Sequence, residues 1–139
     1  MPHALSKVAK DYRRAAIDRH DDALVLNTAC RFNGAIYLAG YAVECTLKVL
    51  VLSMLPSHAQ AAFADETFRG SDGHDFELLR TLYLTNGGAR FPLVINKHFL
   101  LVRDWSTDLR YDPKKSDNRV SERFMAAVED IIDWANGRL

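Results

Sequence analysis

Apolar residues recur along this chain at spacings of three and four rather than two, the period of helices that bury one face. Leu5, Val8, Tyr12 and Ala15/Ala16 share one side of a segment from about Ala4 to Ile17, and Lys7, Lys10 and Arg14 share another. A second helix is expected from about Arg19 to Cys30, with no strong breaker between Ile17 and Asp22 to part it from the first. Asn33 to Leu55 is apolar nearly all round and is stopped by Pro56, the pattern of a central helix enclosed by others. The small, polar and acidic stretch from Ser57 to Gly73 reads as a connection with one helical turn near Ala59 to Ala64. A helix then opens near His74 or Asp75, packs Phe76, Leu79, Leu82 and Tyr83, and ends at Asn86-Gly87-Gly88. Pro92 suits the first turn of a helix reaching Asp108, with Val94, Ile95, Phe99, Val102 and Trp105 toward the core. Ser116 or Asp117 can cap a last helix to about Asn136, whose stripe is Val120, Phe124, Ala127, Val128, Ile131, Trp134 and Ala135. The pattern predicts an all-α, up-and-down helical bundle of about five to six helices.

Composition agrees with that class: thirty-four residues are Ala or Leu, against twenty for Val, Ile and Thr together. The length of 139 residues suits one domain with its own core. Eighteen basic residues balance eighteen acidic ones, so only a local patch can draw the chain to nucleic acid or a membrane. Cys30 and Cys45 are too few for a disulfide scaffold, and on successive antiparallel helices they stand too far apart to bridge. The start Met1-Pro2-His3-Ala4 lacks the basic-then-apolar pattern of a secretory signal, and a cytoplasmic location is expected. Gly34 to Leu55 is long enough to span a bilayer, but Glu44 and Lys48 sit near its middle, so a buried helix is expected.

No zinc-ligand spacing, phosphate loop or hydrolase elbow occurs among these residues, and His3, His20, His58, His74 and His98 are scattered, so neither metal nor cofactor is expected. Glu44 and Lys48, one turn apart, read as an internal ion pair or as groups facing a cleft. The richest stretch is Arg103 to Asp112. Arg103 and Arg110 share a face if the helix continues, Lys114 and Lys115 follow, and Trp105 and Tyr111 can stack on a base. Alternatively Trp105 is core and the arginines pair with Asp104, Asp108 and Asp112. His74 reads as a helix-start residue or, with Asp75, as a group that binds a nucleotide. Tyr37 and Tyr41 are expected in the core or on a dimer face.

The run Arg31 to Lys48, with Tyr41, Glu44 and Lys48 in a Gly- and Ala-rich helix, resembles the central signature of HEPN (higher eukaryotes and prokaryotes nucleotide-binding) domains. Gly73-His74-Asp75 with Leu78-Leu79, and Leu109-Arg110-Tyr111-Asp112, are similar to later segments of that family. The resemblance implies a single domain with a family-like core at 19–136 and an extra N-terminal helix at 1–18. It also implies a homodimer and a partner such as a minimal nucleotidyltransferase, in a toxin–antitoxin or defence setting, with a nucleotide or RNA ligand. Many members are metal-independent ribonucleases with an Arg-x(4-6)-His motif; no histidine follows Arg110 at that spacing, while Arg69 with His74, and Arg13 or Arg14 with His20, match it formally. A non-catalytic or regulatory module is therefore expected first, with Arg110, Tyr111, Asp112, Glu44, Lys48 and Trp105 binding the ligand. The alternative is a ribonuclease acting through Arg110, Arg103 and His74. A third expectation makes Tyr111 the acceptor of a transferred nucleotide.

Overall fold

The computed structural model describes residues 2–139, apart from the side chain of Arg110. Among the described residues, six α-helices and two short 3-10 helices follow in the order α1 (Lys7–Thr28), α2 (Phe32–Ser53), α3 (Ser57–Thr67), η1 (Gly70–His74), α4 (Phe76–Thr85), α5 (Leu93–Val102), η2 (Thr107–Tyr111) and α6 (Asn118–Asn136). Among the described residues there is no strand, so the chain is an all-α bundle.

α1 is one helix, and the expected division between 18 and 19 falls inside it. Its buried residues are Ala9, Ala16 and Ala23, seven apart, opposite the buried Ala35, Ala39 and Ala42 of α2. Small side chains on both seams let the two backbones lie close along most of their length. The hairpin turns through Cys30, whose φ of 60° is the left-handed conformation that usually follows a helix end and is usually taken by glycine.

α2 is the spine. It touches α1, α3, α4, α6 and η2, while α5 packs on α6. Although α2 is long and apolar enough to cross a membrane, 83% of its most apolar stretch is buried inside the bundle, which accounts for that composition.

Four expectations are corrected. The segment after Pro56 is an eleven-residue helix rather than a connection. Its alanines favour a helix but give it little apolar contrast, and Gln60 anchors it from a fully buried position. The Gln60 carboxamide accepts from the Ser6 N–H at 2.8 Å and donates to Ala4 O at 3.1 Å and Leu55 O at 3.0 Å. The glycine-rich loop before α4 contains a 3-10 helix. α5 stops at Val102, six residues short of Asp108, so Arg103 and Arg110 share no helix face. Val94 and Val120, expected in the core, are exposed, while Ser121 and Met125 are buried instead.

Candidate functional site

α5 ends early because Trp105 is needed elsewhere. Its indole stacks on Phe76 (5.4 Å between centroids, 11° between planes) and meets Tyr41 edge-on at 4.9 Å and Tyr37 at 6.0 Å. Gly40 makes room: a Cβ there would stand 2.0 Å from the indole Nε1. Only 5% of Trp105 is exposed, so its faces are taken and the expected base stacking is not available. From this anchor the chain turns into η2, where the Ser106 hydroxyl accepts from the Asp108 N–H at 3.0 Å.

Between η1 and η2 lies a cleft of about 470 Å³. Ser71, His74 and Asp75 form one side, and Arg103, Ser106, Thr107 and Asp108 the other, with Phe76 and Trp105 behind. Asp75 is also the cap of α4, accepting from the Leu78 N–H at 3.1 Å. Arg103 is half-exposed and lies 3.5 Å from Glu77, whose other oxygen accepts from Arg80 at 2.8 Å.

Glu44 connects the cleft to the core. Its buried carboxylate accepts from Lys48 Nζ at 2.9 Å and stands 2.6 Å from His74 Nδ1. The ammonium is enclosed further by Tyr12 and Phe68, whose ring centroids lie 5.3 and 5.4 Å from it. An ionised carboxylate only accepts, so Glu44 assigns the proton of neutral His74 to Nδ1 and leaves Nε2 as an acceptor. His74 is 39% exposed and lines the cleft, so the ring is held from behind and open in front. Such an arrangement can take a hydrogen bond or a proton from a ligand hydroxyl.

The remaining expected residues go elsewhere. Lys48 is sealed in the interior and serves Glu44 rather than a ligand. Asp112 accepts from the Lys114 N–H at 2.9 Å and lines a small crevice with Asn33 and Ile36, eight residues from Glu44 along α2, or about 12 Å. Tyr111 is exposed on η2 and is not in the wall of the cleft. The side chain of Arg110 lies outside the described residues. Of the formal Arg–His spacings, Arg69 pairs with Asp65 on the surface of α3, and His20 faces a groove beside α6. Sequence reasoning missed Ser71, Ser106, Thr107 and Asp108 as cleft residues. Their turn chemistry was visible, but not the apposition of their two turns.

Beside Glu44, burial pushes the Cys45 thiol up to about 11, with the carboxylate adding to the effect. Cys30 is exposed. A thiol reagent at pH 8 is expected to modify Cys30 within minutes and Cys45 only after denaturation, as native and denatured thiol titrations will show. Because the unfolded thiol ionises at lower pH, the contribution of Cys45 to stability is present below that pH and falls as pH rises toward 11. The expected loss is about 3 kcal/mol at most, and it should vanish in Cys45→Ala.

No protein-family model matches this chain, and neither a curated protein nor a solved structure was found to be similar to it.

Proposed function

We propose that the chain is an HEPN-type helical module that binds a nucleotide or RNA and is regulatory rather than catalytic. In this reading it is a cytoplasmic homodimer that works beside a partner such as a minimal nucleotidyltransferase in a toxin–antitoxin or defence setting. The observation that carries the reading is the half-exposed His74, gripped from behind by a buried Glu44, in a cleft it shares with the Arg103 guanidinium. A guanidinium matches phosphate oxygens, and an imidazole with the Ser106 and Thr107 hydroxyls matches ribose or base polar groups. Leu93, Val94, Leu100 and Leu101 leave an exposed apolar face on α5, which supports a second copy.

A second reading, a metal-independent ribonuclease, is favoured by the 2.6 Å contact between Glu44 and His74. There His74 takes the proton of a ribose 2′-hydroxyl while Arg103 and Arg110 stabilise charge on the phosphate.

Fluorescence anisotropy with labelled single-stranded RNA, and competition by AMP, test the first reading. Binding is expected, with His74→Ala and Arg103→Ala each weakening it about tenfold, and light scattering of the same sample is expected to give a dimer. No binding at millimolar AMP or micromolar RNA would remove the reading. Incubation of unstructured RNA in EDTA separates the two: cleavage that His74→Ala or Arg110→Ala abolishes puts the ribonuclease in place of the regulatory module.

A further inference from the structure

On the opposite side of the bundle from the cleft, two adjoining hollows run along α1 toward the end of α6 and share Arg13, Ile17 and Leu139. The first, about 370 Å³, gathers His3, Lys10, Arg13 and Arg14 around Leu5 and Ile17, with no acidic side chain in its wall. Lys7 and Arg14 pair with Asp11 and Asp18, whereas Lys10 and Arg13 pair with no carboxylate among the described residues. The second, about 220 Å³, has Asp21, Glu129 and Asp133 over a floor of Ala16, Val49 and Ile132. Together they form one groove with a basic pole, an acidic pole and an apolar floor. In the wall of the acidic half stands His20, whose Nε2 is buried without a hydrogen-bond partner. Thr46 and Val49 of α2 close the inner side, and Thr46 lies about 200° round the helix from Glu44, so this groove and the cleft are separate.

We propose that the groove binds an extended peptide of about four residues, with a positive amino end at the acidic pole and a negative carboxyl end at the basic pole. Arg13 and Asp21 are eight residues apart on one helix, about 12 Å, and four extended residues reach about 13 Å. Opposite charges held that far apart by an aliphatic middle are what a short peptide offers. The floor accepts its central side chains, and the His20 ring in the wall stands where it senses the occupant. Arg13 is the residue on which the affinity depends most, because it lines both hollows and has no internal counter-ion.

The test titrates the full chain with Lys-Leu-Ala-Glu bearing free termini, following the His20 ring nitrogens by NMR and the heat by calorimetry. Saturable binding that shifts the His20 resonances is expected. It should weaken about tenfold for the uncharged peptide acetyl-Ala-Leu-Ala-Ala-amide, for Arg13→Gln and for Asp133→Asn, two helix-surface changes whose fold circular dichroism checks. Three results would overturn the proposal: no saturable shift at His20, equal affinity for the charged and uncharged peptides, or displacement of His20 signals by AMP with none by the peptide.

Discussion

Glu44→Ala is expected to cost about 3–5 kcal/mol of stability, measured as a lower urea midpoint at unchanged slope. The reason is what remains behind. Lys48 keeps its ammonium inside the bundle, 6% exposed at the side chain, with only the faces of Tyr12 and Phe68 left to neutralise it. Removing both charges is the informative companion: Glu44→Leu with Lys48→Met should recover most of the loss, since well-packed apolar pairs often equal or exceed a buried ion pair. The same double variant would leave the His74 ring without its partner at Nδ1, so the RNA binding proposed for the cleft should stay weakened although the fold is restored. A double variant as unstable as Glu44→Ala would mean that packing around Glu44, and not the stranded ammonium, sets the cost.

Trp105→Ala is expected to remove about 3–5 kcal/mol as well, by a different route. The indole fills the space above Gly40 and between Phe76 and Tyr41, and truncation leaves a cavity that the stiff rings around it can close only in part. Thermal unfolding should shift down by at least several degrees in a domain of this size. Trp105→Phe should cost much less, because it keeps an aromatic on Phe76 and removes the buried Nε1, which has no hydrogen-bond partner. Because the start of η2 follows directly from this anchor, Trp105→Ala should also loosen one wall of the cleft and weaken the ligand binding proposed there. Equal stability of the wild type and Trp105→Ala would show that the ring lies outside the core.

Which parts of this fold could be read from the chain depended on how far apart the deciding residues are. α2 was legible because every position near its middle is apolar except Glu44, Thr46 and Lys48, and the one-turn spacing of Glu44 and Lys48 is that of an ion pair, which the structure forms at 2.9 Å. The third partner, His74, stands thirty residues away on η1, and no local pattern brings it to Glu44. α3 was hidden by its own composition: alanines make a helix without making a stripe. The end of α5 was misjudged because Val102 and Trp105 are spaced as helical neighbours, while the fit of Trp105 onto Gly40, decided by tertiary packing, bends the chain away. Caps were legible where one side chain serves one nearby N–H, as Asp117 does for Val120 at 2.9 Å.

The three bonds of Gln60 set where this bundle has to begin. Two of them end on Ala4 and Ser6, ahead of the first helical residue, and the Ser57 hydroxyl donates to Ala4 O as well. A chain shortened to start at Lys7 would retain all of α1 and still leave an interior carboxamide with a single mate. The short extended leader is thus a structural cornerstone rather than a dispensable overhang: trimming it would unsettle α3 and also strip α1 of its Ser6 cap, whose hydroxyl accepts from the Ala9 N–H.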